Sequence, residues 1–140
     1  MKYNDGIIEH QISIIDAIDS LENSFSDYKM EHMNTKYVIL QQKVDSSIHF
    51  LDGLSDFEGD SALLISARSL FGNYKQVTEN NYPVIIEILS MPDSVFTEKD
   101  QQRLFDQQSI VNDQISKAHQ DFLNEQNDFG KRHNLVFTAE

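Results

Sequence analysis

Between Phe57 and Tyr82 the chain reads FEGDSALLISARSLFGNYKQVTENNY, and apolar residues recur through it at helical spacing: Leu63, Ala67, Leu70, Tyr74 and Val77 step by 4, 3, 4 and 3. An α-helix turns once in about 3.6 residues, so these steps place the side chains on one face; a strand would alternate by two. Leu64 and Phe71 widen the stripe, which suits a helix packed among several neighbours better than a two-stranded seam. Asp60 stands where a cap belongs: its carboxylate accepts from the free amides of the first turn and faces the positive end of the helix dipole. Gly59 allows the tight reversal that such an entry needs. Gly72, inside the helix, costs about 1 kcal/mol relative to alanine and marks either a close helix approach or a tolerated glycine.

The same pattern occurs three more times. Ile8, Ile12, Ile15, Ile18, Leu21 and Phe25 predict a first helix over about 3–26, with Asn4 or Asp5 as its cap and Asp16, Asp19 and Glu22 on the wet side. Met33, Tyr37, Leu40, Val44, Ile48 and Leu51 predict a second over 30–54, closed near Gly53. The third helix, entered at Asp60, extends through Val84, Ile85, Ile88 and Leu89 to about residue 90. Pro83 lies within it and removes one hydrogen bond, so the helix either kinks there or breaks near Asn80-Asn81-Tyr82. Thr97-Glu98-Lys99-Asp100 resembles a capping box with Asp in place of Glu. It opens the longest helix, about 97–133, striped by Leu104, Val111, Ile115, Ala118, Phe122 and Phe129. Gln108 and Glu125 interrupt that stripe, a place where polar side chains reach solvent or a partner. Asp113–Lys117 and Asp128–Arg132 have the spacing of i,i+4 ion pairs, and Lys131, Arg132 and His133 suit the negative end of the helix. Leu135–Glu140 reads as a tail.

Only 5 glycines and 2 prolines interrupt 140 residues, too few for a turn-rich β fold. The expectation is all-α: one domain over 1–140, an up-down-up-down antiparallel four-helix bundle with a long C-terminal helix. The first two helices come to about 35 Å each and the last two to about 43 and 52 Å, so the Met91–Phe96 turn should project about 10 Å beyond the first connection. This tip carries Ile85, Ile88, Leu89, Val95, Phe96 and Phe105. Packing within the hairpin buries some of them; any apolar remainder is a contact surface. Leu89, Val95 and Phe96 are the candidate partner contacts.

The net charge of −12 argues against binding nucleic acid or anionic lipid heads, both of which need clustered Lys and Arg, and Lys131-Arg132 is the longest basic run. With no cysteine, disulfides, thiolate-held zinc and thiol catalysis are excluded. No apolar run approaches the roughly 20 residues of a membrane span. The opening MKYNDGIIEHQ does not read as a signal peptide, because Asp5, Glu9 and His10 break its apolar residues.

Nothing in the sequence points to an enzyme or a cofactor. Di-iron bundles place Glu three residues before His, but Ile7, Lys29, Ser46, Ser116 and Gly130 precede the five histidines at that spacing. Asp45 and His49 are i,i+4, yet two ligands make a weak metal site. An EF-hand loop begun at Asp56 would need Gly at position six and Glu at twelve; Ser61 and Ala67 stand there. There is no G-x-S-x-G elbow and no glycine-rich phosphate loop. Tyr37, Tyr74 and Tyr82 could line a pocket but read first as core residues.

Three segments carry a resemblance: YNDGIIEHQ at 3–11, the Gly59-Asp60 entry with Phe71-x-x-Tyr74-Lys75, and AHQDFLNEQNDFGKRHN at 118–134 with Phe129-x-x-x-His133. Together they resemble an uncharacterised bacterial surface-protein family seen in spirochaetes and in the Bacteroidetes group. Pro83 departs from the family pattern, in which an ordinary helix former is more common. The resemblance implies a helical, exported protein, often a lipoprotein, whose leader would precede Met1; it supplies no catalytic or ligand residue. On this reading the protein is a surface-tethered bundle that binds a protein or envelope component. The alternatives are a small-ligand or metal carrier with a site between helices, and a cytoplasmic helical adaptor.

Overall fold

The computed structural model describes residues 2–135; of the expected tail, 136–140 lie outside the described residues. Five helices follow in order: α1 (Lys2–Ser24), a single 3-10 turn at Phe25–Asp27, then α2 (Met30–Asp52), α3 (Ala62–Asn80), α4 (Tyr82–Leu89) and α5 (Glu98–Arg132). They form an all-α up-down-up-down bundle, with α3 and α4 together making the third column and α5 the long C-terminal helix. No helix among the described residues is long and apolar enough to cross a membrane.

The stripes of α2, α3 and α5 point inward much as their spacing predicts. Met33, Leu40, Val44 and Leu51 from α2 meet Leu63, Ala67, Leu70, Tyr74 and Val77 from α3, and Val111, Ala118, Phe122 and Phe129 close the core from α5. The first helix differs. Its buried face is Asn4, Ile7, Ile14, Ile18 and Leu21, with half-buried Gln11 in the same phase, while Ile12 is 43% exposed. These positions step by 3, 4, 3, 4 and 3, a cleaner helical stripe than the apolar residues alone, but two of its members are polar. Asn4 is satisfied from α5, its Oδ1 accepting from Gln126 Nε2 at 2.9 Å. α1 and α2 also approach closely at Gly6, where a Cβ would stand 2.9 Å from the Phe50 ring.

Between α2 and α3 the chain reverses at Glu58-Gly59, whose φ angles are +50° and +82°. Two left-handed central residues make the tight turn that pairs Phe57 with Asp60: Asp60 N–H donates to Phe57 O at 2.8 Å and Phe57 N–H to Asp60 O at 3.2 Å. Gly59 is therefore required by its backbone, since nothing lies within 4 Å of its missing Cβ. Gly59→Ala should cost about 1–2 kcal/mol, read as a fall in the thermal unfolding midpoint with unchanged helicity by circular dichroism. Gly72 has open space around it and is a tolerated glycine rather than a close approach.

The third column breaks rather than kinks. α3 ends at Asn80, Asn81 carries φ −109° and ψ −47°, and α4 restarts at Tyr82. Pro83 thus falls in the first turn of a new helix, where a missing amide leaves no bond unmade. Asn81 joins both pieces: its amide donates to Val77 O and its carbonyl accepts from Ile85 N–H, each at 3.1 Å. Its side-chain Nδ2 donates to Gln107 Oε1 on α5 at 2.9 Å, which pins the break against the neighbouring helix.

α5 opens with the expected capping box. Asp100 N–H donates to Thr97 Oγ1 at 3.3 Å, and Thr97 N–H donates back to Asp100 Oδ2 at 3.0 Å. These bonds hold the Asp100 carboxyl below its ordinary range. The ion pairs expected along α5 are drawn differently: Lys117 Nζ meets Asp121 at 2.8 Å, and Arg132 pairs with Asp60 beside α3 as well as with Glu125 on its own helix.

Candidate functional site

Three polar arrangements and one groove stand out from the packed core. At the base of the bundle, Asp60 Oδ1 accepts from Ala62 N–H at 3.0 Å, so it caps α3 as its position predicts. Its Oδ2 accepts from Arg132 Nε and from His133 Nε2, each at 2.8 Å. The last turn of α5 is thereby tied to the first turn of α3, and Arg132 also reaches Glu125 at 3.4 Å, which explains the acid on the α5 stripe. The His133 ring lies against Phe57 and Phe129, with centroids at 5.0 and 4.5 Å. The Arg132 hydrogen bond, then the Ala62 amide, then His133 lower the Asp60 carboxyl well below the usual range. A carboxyl lowered on folding stabilises the fold above its unfolded value, and that contribution is lost as pH falls through the folded one. The clasp should therefore be intact at neutral pH and open only in acid, below about pH 4. Asp60→Asn should raise amide exchange at residues 129–133 at neutral pH, while the wild-type chain shows the same increase only in acid.

Mid-bundle, the Tyr74 hydroxyl lies 2.6 Å from His119 Nε2 and links α3 to α5. Tyr74 is fully buried, and burial pushes its phenol up and the His119 imidazole down, so a protonated phenol donates to a neutral ring. Between α1 and α2, His10 stacks on Phe50 at 4.3 Å and sets Nδ1 2.9 Å from Ser47 Oγ. Both histidines are tied into packing contacts. Among the described residues no three His, Asp or Glu side chains come together as metal ligands, and Asp45 and His49 gain no third.

The groove is at the other end, at the tip. α1 runs antiparallel to α5, with Asn4 opposite Gln126. From that level α1 rises about 30 Å to Ser24, whereas α5 runs about 42 Å to Glu98, so the α4–α5 hairpin overshoots α1 by about 12 Å. Where α1 stops, a groove of about 530 Å³ opens. Glu22, Phe25 and Tyr28 form one wall, Tyr82, Ile85 and Leu89 of the third column the floor, and Leu104, Gln108 and Asn112 of α5 the other wall. The Tyr82 hydroxyl donates to Glu22 Oε1 at 2.7 Å, and burial followed by the nearby carboxylate pushes that phenol up, so it remains a donor.

The hairpin residues singled out by sequence divide between buried and exposed positions. Ile85 and Ile88 are buried, and Leu89 is half-buried where it lines the groove. Val95 is 53% exposed, Phe96 37% and Phe105 63%. Val95 and Phe96 are held at the turn by their amides, which donate to Pro92 O at 3.0 and 3.2 Å. Beside the groove, Tyr28 is 70% exposed with a left-handed backbone, φ +54°. Glu22, Phe25, Tyr28 and Gln108 were not foreseen as a group. The available signal was Gln108, a polar residue on the α5 stripe.

Comparison with protein-family models, with curated proteins and with solved structures returns no match.

Proposed function

We propose that this protein is a non-enzymatic helical binding module of the bacterial envelope, exported and tethered, which engages a protein partner through its tip. The observation that carries this reading is the exposure of Val95, Phe96 and Phe105 at the α4–α5 end of the bundle, the end at which Tyr28 and Leu89 line a groove. Large apolar side chains exposed together at one end of a bundle are what a partner buries, and aromatic residues supply most binding energy at such surfaces. The amino end of α1 lies at the base, beside Phe129 and opposite the tip. A tether there would leave the tip pointing outward.

The experiment places a photo-crosslinking residue at Phe96, or at exposed Ser46 on α2, in cells that express the natural gene. Capture of one partner from the tip position, lost on Val95→Asp with Phe96→Asp, is the expected result. Both residues are exposed, so the double variant should keep its helicity and unfolding midpoint. A partner bound equally well by the double variant would end the tip reading. Export is tested separately, by fractionation and by a lipobox cysteine encoded upstream.

A second reading has an observation of its own. The groove's volume falls in the range of small-molecule sites, so the chain would be a small-ligand carrier. A saturable shift in the unfolding midpoint with a metabolite library, together with a tip double variant that still binds its partner, would favour it.

A further inference from the structure

The tip groove has the shape and the charge of a missing helix. α1 meets α5 at the base, through Asn4 with Gln126 and Tyr3 with Phe129, and it ends at Ser24, where the 3-10 turn carries the chain across to α2. Beside the last turns of α1 and beyond its end, α5 leaves Asn112, Gln108, Phe105 and Gln101 exposed on one face, stepping by 4, 3 and 4. Gln108 and Asn112 line the groove, and Gln101 and Phe105 line the shallow hollow above. The exposed stretch is about 16 Å, or three helical turns, long. A helical face left uncovered over this length is completed most directly by another helix laid along it.

The lining adds a sign. The ionised side chains in the groove and the hollow are Glu22 and Glu98, no lysine or arginine is among them, and the whole chain carries −12. Glu22 uses Oε1 to accept from Tyr82, and the residue is exposed at the groove edge, so the carboxylate has further acceptor capacity for a cation. We infer that the groove receives an amphipathic helix from a partner protein, with its apolar face on Leu89, Leu104 and Phe105 and a lysine or arginine set against Glu22. This inference deepens the tip-binding reading and rests on it.

The test is fluorescence polarisation on the full chain with two labelled synthetic peptides of about three to four helical turns. Both carry leucines at i, i+3, i+4 and i+7; one has lysines flanking the stripe and the other glutamates. The lysine peptide should bind, and Glu22→Gln should weaken it about tenfold, the worth of a charge-assisted bond. The substituted amide oxygen can still accept from Tyr82, so the fold is kept. Asp45→Asn removes the same charge from the exposed side of α2, away from the groove, and should change affinity less than twofold. Equal losses from the two variants would mean bulk charge alone and would overturn the inference, as would equal binding of the glutamate peptide. Binding of benzylammonium at the groove without binding of the lysine peptide would overturn it in favour of a small cation. The two readings fail separately. If neither peptide binds but Val95→Asp with Phe96→Asp still abolishes capture of the cellular partner, the helix is wrong and the tip stands. If that double variant leaves capture intact, the tip reading itself is lost.

Discussion

Phe129→Ala is expected to destabilise the protein by about 3–5 kcal/mol, a large part of the roughly 5–15 kcal/mol by which a domain is ordinarily stable. Phe129 is fully buried and its ring holds the base of the bundle together. Tyr3 stacks on it from α1 with centroids 6.3 Å apart, Phe57 meets it edge-on at 5.2 Å from the α2–α3 connection, and the Arg132 guanidinium lies 5.8 Å from its centroid. Truncation removes the shared partner of groups from three segments of chain, and the neighbouring rings are too rigid to fill the space. Chemical denaturation should show a lower midpoint with an unchanged slope. Because the tip is at the opposite end, partner capture through Phe96 should persist below the new midpoint. A loss of less than about 1 kcal/mol would mean that the base is not packed as described.

The second large effect is in the middle of the bundle. Tyr74→Phe should cost about 1–3 kcal/mol at pH 7.5, because it leaves the His119 Nε2 acceptor facing an apolar ring with no donor. The same pair predicts a pH dependence. Burial lowers the His119 pKa, and that of His10, below the ordinary 6.5, so the folded state prefers the neutral rings. The unfolded chain then binds more protons, and stability falls as pH drops from about 6.5 toward the folded values. The unfolding midpoint should therefore decline between pH 7.5 and 5, well before the Asp60 clasp opens. His119→Gln should flatten that decline, leaving the contribution of His10. A midpoint independent of pH across this interval would show that neither ring is held neutral by its surroundings.

How much of this was legible beforehand differs from element to element. The capping box at Thr97 and Asp100 could be read because both partners lie within one turn, and the left-handed turn at Gly59 because a single residue type signals it. The broken third column was legible as one of two options; Asn81 decides between them by bonding to Gln107, a residue of another helix. The tip residues could be grouped from the sequence as the end of one hairpin, but only packing separates buried Ile85 and Ile88 from exposed Val95 and Phe96. Arg132 shows the same limit: its neighbours along α5 suggested Asp128, and the fold presents Asp60 instead.

By itself the sequence determined that there would be helices, roughly where each starts and stops, and that α5 would outrun α1, because these follow from spacing, caps and a fixed rise per residue. It also placed Asp60 at the mouth of α3. Only the tertiary structure decided which face of α1 is buried. Counting apolar residues favours Ile8, Ile12 and Ile15, whereas the packed face includes Asn4, made tolerable by a glutamine 122 positions away. The groove was settled in the same way, by the register that brings Glu22, Tyr82 and Gln108 to one level. Burial of a polar group depends on a partner's location in space, and periodicity along a chain holds no record of that.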